Sequence, residues 1–492
     1  MAPSRTGGDR AVQFPILSRR VLLAGACLPW ASRIAAADKP VGLRTDLGVW
    51  TDDWDGLLHR RVIRMLVPYS RTLFFQDRGT LYGVSVDAAQ LLEGWINKTY
   101  KTGKRPLVVA LIPTTRDKLF TELLAGRGDI AAGDITITPE RAKLVSFTVP
   151  TVPNVSEVLV TRADAPRVAD ASGLSGMEVA VREGTSFYES LQSLNKSLAD
   201  AGKPLVKLSL IPPALETEDM MEMVAAGLLP AIVADDWIAN LWTTLIPGLT
   251  VQKQVVLRSG GDIGWAVRPD NPKLLEVLNT AITQVGGKAV QLSNRTKIYL
   301  RKLKQIHGAT SRADVQRFEA LKAMFAKYGD KYGFDDLLLQ AQSYQESRLD
   351  QNAHSQVGAV GLMQLMPATG ASMKVGDIHQ PDPNVHAGAQ YMRSLIDRYF
   401  PDAKFDTQNR TLFAFASYNA GPGAIARMRK IAVQEHLDPN LWFDNVERVT
   451  AAHIGQEPVR YVRNIYKYYI AYRLLEERRA SIDAVQKTPK TN

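Results

Sequence analysis

The sequence predicts a multidomain chain whose first large part is α/β and whose second is all-helical. Short apolar runs alternate with helix-period stretches from about residue 59 to 300, the pattern of strands and crossover helices around a mainly parallel sheet. From about residue 313 the apolar runs read instead as successive helices, with spacings of three and four. At 492 residues the chain also exceeds what one hydrophobic core usually serves.

The amino terminus stands apart from both. Arg5, Arg10, Arg19 and Arg20 precede the apolar run Val21 to Ala31, and Ala35-Ala36-Ala37 supplies small residues for cleavage before Asp38. This is the polarity order of a secretory signal, and Ser18-Arg19-Arg20-Val21-Leu22-Leu23 has the twin-arginine form. Residues 1–37 are therefore expected to be removed, leaving an extension from 38 to 58. Cys27 is the only cysteine, so the mature chain has no disulfide and no cysteine-based metal site. A lipid anchor on Cys27 is the competing reading, but Ala24 occupies the position where such signals prefer leucine.

Removing the leader's five arginines and Asp9 lowers the formal charge from +10 to +6. That mild basicity suits an anionic polymer or lipid surface, while the lack of a dense Lys/Arg run with interleaved aromatics argues against nucleic acid. No window of eighteen uninterrupted apolar residues exists, so a membrane span is not expected.

In the first part the strand-like runs are Val62 to Val67, Leu107 to Ile112, Ile130 to Ile135, Val155 to Thr161, Val179 to Val181, Val206 to Ile211 and Ala231 to Val233. The helix-like runs between them are Val84 to Trp95, Arg116 to Leu124, Phe187 to Leu198 and Thr217 to Ala226. Gly133-Asp134-Ile135-Thr136-Ile137-Thr138-Pro139-Glu140-Arg141, followed by Val145 to Pro150, resembles the family 3 periplasmic solute-binding proteins. The resemblance implies two lobes and a ligand held between them. Thr136 lies at the strand-to-helix corner and Arg141 would clamp a ligand carboxylate, to which a guanidinium fork is suited. Glu183-Gly184-Thr185-Ser186 resembles the anion-holding turn of the second lobe. Asp235 falls where such binders keep a carboxylate for an α-amino group, and Tyr69 where an aromatic covers the ligand. Pro230 departs from the aspartate often found there. The two crossings between lobes are expected near 151 to 155 and 255 to 261, and an amino acid or a muropeptide is the expected effector. Taken singly, Arg141 also reads as a partner of Glu140 and Asp235 as a helix N-cap.

Residues 301–312 are polar and basic and read as a linker. The second part then spans 313–478, with a polar tail expected to be disordered over 479–492. Its helices are expected over Ala313 to Tyr328, Leu337 to Glu346, Pro383 to Tyr399, Thr411 to Tyr418, Ala424 to Lys430 and Arg460 to Glu477, with a short turn at Pro367 to Ser372.

The chemistry is placed at Glu346, near the end of the apolar helix Leu337-Leu338-Leu339-Gln340-Ala341-Gln342-Ser343-Tyr344-Gln345-Glu346. A carboxyl held partly out of water there stays protonated more readily, as a general acid requires. After it come Ser355, Gly361-Leu362-Met363-Gln364, Ser417-Tyr418-Asn419-Ala420-Gly421 and Glu457-Pro458-Val459-Arg460-Tyr461. In order and spacing these resemble the family 1 lytic transglycosylases of bacterial cell walls, with Ser417 where alanine is usual and Pro458-Val459-Arg460 in place of the common T-R-x.

That resemblance implies a lysozyme-like fold and a lyase acting on peptidoglycan with one glutamate. Glu346 would protonate the glycosidic oxygen between MurNAc and GlcNAc. It would then take the proton of the muramyl C6 hydroxyl, closing a 1,6-anhydro ring without water. Ser355 would orient an N-acetyl group or Glu346, Met363 and Gln364 would line the sugar groove, and Tyr418 and Asn419 would hold substrate near C1. Tyr461, positioned by Glu457, would hydrogen-bond the glutamate.

No cofactor is implied, and the histidines of this half make no ligand pair for a metal. The order of the two parts resembles that of membrane-bound lytic murein transglycosylases, which places the protein in the periplasm with peripheral outer-membrane association. A solute receptor anchored to the wall by a lysozyme-like module is the alternative from a different class. A hydrolytic lysozyme, which would leave reducing ends, is the third.

Overall fold

The computed structural model describes residues 48–285 and 312–487. The expected leader, Cys27, the extension up to residue 47 and the linker up to residue 311 lie outside those residues.

The first part is built on a nine-stranded sheet in the order β4-β1-β5-β11-β7-β10-β8-β9, with β6 pairing β11. In chain order its strands are β1 (Val62–Pro68), β2 (Phe75–Asp77), β3 (Thr80–Tyr82), β4 (Val108–Thr114), β5 (Ile130–Thr136), β6 (Ser146–Phe147), β7 (Val152–Arg162), β8 (Glu178–Val181), β9 (Lys207–Leu210), β10 (Ala231–Asp235) and β11 (Leu249–Val267). The pairs β1–β4, β1–β5, β8–β9 and β8–β10 are parallel, as expected of strands joined through helices. The long strands β7 and β11 run antiparallel to their neighbours and pass from one half of the sheet to the other. Their pairing shifts register four times between Gln252 and Ile263, so the crossing strands bend where the lobes meet.

Each lobe has its own core. Leu66, Ile112, Leu123, Ala131 and Ala266 fill one, and Leu159, Val179, Val181, Leu191 and Val233 fill the other. Burying each of these leucine, isoleucine or valine side chains stabilises the lobe by roughly 1.5–3 kcal/mol, and each alanine by less.

The second part is built of helices, the long ones at Arg312–Tyr332, Asp336–Ser347, Pro381–Tyr399, Thr407–Ala420, Pro422–Gln434 and Gln456–Lys487, with a non-helical loop over 348–366 that carries isolated β-bridges at His354–Val360 and Val360–Leu365. Proline opens the helices at 367, 381 and 422, where its missing N–H leaves no bond unmade. Phe318 stacks on Tyr472, and Phe325, Tyr344, Phe413 and Phe415 are buried around the helices Asp336–Ser347 and Thr407–Ala420. The expected limit at 478 falls inside the last helix, and residues 479–487, expected as disordered tail, are helical. Leu474 to Arg479 are all strong helix formers and carry the helix onward.

The parts meet along that last helix. Gln456 donates through Nε2 to the Tyr69 hydroxyl at 2.6 Å, Arg463 lies over the Tyr69 ring, and the hairpin β2–β3 meets the helix Glu447–His453 through Arg78 N–H to Ala451 O at 3.1 Å. Lys467 pairs with Asp219 at 2.8 Å and with Glu222, both on the helix Thr217–Ala225 of the second lobe. Arg71 of the first lobe pairs with the same two carboxylates at 3.0 and 2.7 Å.

Candidate active site

Glu346 is the penultimate residue of the helix Asp336–Ser347. Asp335 caps this helix by accepting from Leu338 N–H at 2.9 Å, and Leu337 to Tyr344 are buried. The helix ends because Arg348 and Leu349 both take left-handed backbone angles, with φ of 57° each. Glu346 is half-buried at this corner and accepts a hydrogen bond on Oε1 from the Tyr461 hydroxyl at 2.6 Å.

Tyr461 is held in turn by Gln342, whose Nε2 donates to the same hydroxyl at 3.2 Å. Burial first, and then the charge of Glu346, push the Tyr461 hydroxyl well above its ordinary pKa, so it stays a donor. Glu457, expected to position Tyr461, is exposed on the first turn of the last helix, and Gln342 is the second group at the tyrosine hydroxyl. Gln342 sits in an apolar stripe and carries no local signal that separates it from core.

The loop 360–365 is sewn to the glutamate helix by Ser343 and Ser347, whose hydroxyls donate to Leu362 O at 2.9 and 3.0 Å. Asn384 closes it from the other side, accepting from Met363 N–H at 2.8 Å and donating to Val360 O and Ile378 O. Gly361 has φ of +80°, and a Cβ there would come within 2.3 Å of Asn384 Nδ2.

Met363 was expected in the sugar groove, but it is wholly buried and a Cβ on Gly388 would strike its side chain, so it packs the core. Tyr418 is buried and donates to Met363 O at 2.8 Å, while Asn419 next to it is half-buried. Gln364 spends its amide on Ala353 O and Gly361 O, both at 3.0 Å, and Ser355 accepts from Ala359 N–H at 2.9 Å. Both therefore shape the loop beside the glutamate helix.

In the first part, Thr136, Arg141, Thr185, Ser186 and Asp235 line one cleft of about 500 Å³ between the lobes. Tyr69 does not join them: it is buried against Gln456 and Arg463, because the last helix covers the loop after β1.

The lobes are closed over the cleft. The Thr136 and Ser186 hydroxyls lie 3.0 Å apart, Arg116 reaches Glu216 at 3.2 Å, and Arg141 donates to Thr136 O, Gly184 O and Glu189 Oε1 at 3.1, 3.3 and 3.1 Å. Thr185 caps the helix Ser186–Asp200 by accepting from Tyr188 N–H. Asp235 occupies an N-cap position but makes no side-chain cap; its carboxyl meets Asp134 instead.

Burial raises Asp134 to about 6 and puts Asp235 well above the usual carboxylate range, with the charge of Asp134 adding to it. Arg116, Asp134, Arg182 and Phe187 also line the cleft. Asp134 lay inside the quoted motif; its backbone has a left-handed φ of 57°, a conformation in which aspartate is enriched, and its carboxyl meets that of Asp235.

Residues 64–292 match the bacterial extracellular solute-binding proteins, family 3, and residues 323–439 match the Transglycosylase SLT domain. The membrane-bound lytic murein transglycosylase F of Alteromonas mediterranea is 30% identical over 383 residues, covering 73% of this chain and 80% of its own. The chain belongs to the membrane-bound lytic murein transglycosylase F family. That is a family of lyases, and members from Desulfosudis oleivorans and Ectopseudomonas mendocina are 29% and 28% identical, over 72% and 83% of this chain and 79% and 83% of theirs. Among solved structures, an ancestral arginine-binding protein bound to arginine is 24% identical, covering 46% of this chain and 95% of its own with a TM-score of 0.38.

Among the described residues no helix is long and apolar enough to cross a membrane, and no group of three His, Cys, Asp or Glu side chains is placed to hold a metal ion.

Proposed function

We propose that the chain cleaves the β-1,4 bond between MurNAc and GlcNAc in peptidoglycan without water, leaving 1,6-anhydroMurNAc ends. The observation that carries the reading is the 2.6 Å hydrogen bond from Tyr461 to Glu346. Glu346 acts as acid, giving its proton to the glycosidic oxygen as the C1–O bond breaks, with the N-acetyl group assisting at C1. The resulting carboxylate, still held by Tyr461, takes the proton of the C6 hydroxyl as that oxygen closes on C1.

Glycoside hydrolysis by two carboxylates needs a second group across the bond. Asp350, the nearest in sequence, accepts from Asn352 N–H at 2.9 Å and so belongs to the turn. One carboxylate suffices when the substrate brings its own nucleophile.

The cleft between the lobes is the site for an amino-acid or muropeptide effector, with Arg141 for its carboxylate and Asp235 for its amino group. The docking of the last helix on both lobes, through Gln456 on Tyr69 and Lys467 on Asp219, supports a regulatory use of that cleft over a transport receptor's. The family's name fits a periplasmic enzyme at a membrane surface, and the inner face of the outer membrane is the proposed one.

Digesting purified sacculi and weighing the products tests the reaction. Anhydro ends lack one water relative to the reducing ends of a lysozyme, and their loss in Glu346→Gln is the expected result. Reducing ends, or undiminished anhydro ends from the variant, would overturn it.

A further inference from the structure

Gln342 stands one helical turn before Glu346 on the same face of the helix. It is wholly buried in a stripe otherwise filled by Leu338, Leu339, Ala341 and Tyr344. Its Nε2 donates to the Tyr461 hydroxyl, whereas its own Oε1 is buried without a hydrogen-bond partner among the described residues. A buried carbonyl left unmet is destabilising, and leucine would fill the same place without that penalty.

The two orientations of the amide have different consequences. With its oxygen toward Tyr461, the amide would draw the hydroxyl proton to itself, and Glu346 would lose a donor. With its nitrogen there, a lone pair of the tyrosine oxygen is engaged and the O–H is directed to Glu346 Oε1, as the 2.6 Å contact requires.

We propose that Gln342 is a positioning residue for the transglycosylase reaction: it aims the Tyr461 O–H at Glu346 Oε1. The inference rests on the reading of Glu346 as the acid. In the first step the proton leaves the Glu346 carboxyl for the glycosidic oxygen. In the second, the carboxylate recovers a proton from the C6 hydroxyl, so the carboxyl is restored and no water is consumed. The chain Gln342 to Tyr461 to Glu346 is cooperative: donation into the tyrosine oxygen makes its O–H a stronger donor, which favours the carboxylate between the two steps. The titratable groups that face Tyr461 are Glu346 and Tyr418.

The test measures initial rates of anhydro-end release from sacculi, against pH and sacculus concentration. It uses the full chain and its Gln342→Leu, Tyr461→Phe, Gln342→Leu/Tyr461→Phe and Glu346→Gln variants. Gln342→Leu is expected to lower the saturated rate about tenfold, less than the ~10²–10³-fold typical of removing a donor directly, with half-saturation unchanged. Weaker donation to the carboxylate raises the pKa of Glu346, so the alkaline limb of the rate profile moves up. In the Tyr461→Phe background Gln342→Leu adds nothing.

An equal loss from Gln342→Leu in both backgrounds, or an unmoved profile, overturns the proposal in favour of simple packing. Gln342→Met replaces Gln342→Leu if the latter does not fold, with the same outcomes. Activity in Glu346→Gln overturns the reading of Glu346 itself; a dead Glu346→Gln beside a silent Gln342→Leu overturns only this inference.

Discussion

Lys467 and Asp219 form a buried ion pair, 2.8 Å apart, between the last helix of the second part and the second lobe of the first. Asp219 also takes Arg71 from the first lobe, so three bodies converge on one carboxylate. Lys467 and Tyr461 lie on the same helix, and Tyr461 reaches Glu346. The closed lobes and Tyr461, the donor to Glu346, are thus held by one helix. Opening the lobes would separate Arg71 from Asp219 and Glu222 and leave Lys467 a different partner set.

Lys467→Met should therefore destabilise the docked chain. Removing one partner of a buried pair leaves an uncompensated charge and typically costs about 3–5 kcal/mol, and Arg71, which remains, should keep the loss near ~3 kcal/mol. Burial pushes the Asp219 carboxyl up, but Lys467, Arg71 and Arg463 outweigh it and hold it well below the usual range; Glu222 is also held low, by Arg71 and Lys467 against its burial. A depressed folded pKa gives stability that is present above the unfolded value near ~4 and lost as pH falls through the folded one. Thermal unfolding of the variant should accordingly keep its full deficit from pH 7 down to about pH 4 and lose it progressively as the pH falls further. A deficit that stays constant below that pH would mean the lysine stem, not its charge, matters.

Tyr461→Phe removes the donor to Glu346 and should reduce release of anhydro ends by about 10²-fold, the scale of losing one donor to a developing charge. Because the Tyr461 hydroxyl titrates well above its ordinary value, the alkaline limb of the wild-type rate profile below pH 10 belongs to another group, Glu346 in this reading. A limb that vanishes in Tyr461→Phe while the acid limb stays would assign it to the tyrosine instead.

Asp134→Asn should stabilise the binder at neutral pH. Burial lifts the Asp134 carboxyl to about 6, against an ordinary value of 3.8. A carboxyl whose folded pKa is raised contributes stability present below the unfolded value and lost as pH rises through the folded one. Asparagine keeps the hydrogen bond toward Asp235 and removes the charge, so the gain should reach about 1–2 kcal/mol at pH 7.5 and fade by pH 4. Melting temperatures at the two pH values decide it; a gain that does not change with pH would point to packing.

How much of this was legible in the sequence depended on distance along the chain. The helix that carries Glu346 shows in the three-and-four spacing of Leu337, Leu338, Ala341 and Tyr344, and β5 with Arg141 shows in one continuous motif. Tyr69 and Met363 were misplaced for one reason: burial is decided by what arrives from elsewhere. The last helix covers Tyr69, and the helix bearing Gly388 covers Met363. The junction of Arg71, Asp219, Glu222 and Lys467 joins residues about 150 and 250 positions apart, and no local pattern marks such partners. Gln342 was hidden differently, as a polar residue whose use appears only once Tyr461 is beside it.

Glu189 gives the last prediction, because it occupies Arg141, the arginine proposed for the effector's carboxylate. Its Oε1 sits 3.1 Å from Arg141, and its side chain is 40% exposed while that of Arg141 is 14% exposed. A part-exposed pair of this kind contributes up to about 1 kcal/mol. Glu189→Ala removes this internal competitor and leaves Arg141 only the Thr136 and Gly184 carbonyls, so a stem-peptide fragment should bind the full chain up to about fivefold more tightly by calorimetry. Arg141→Ala in the same background should abolish the gain. The opposite outcome, weaker binding in Glu189→Ala, is expected only if Glu189 holds the lobes shut on the ligand, since its contact with Arg141 also spans them. The sign of the change thus tells competition from closure.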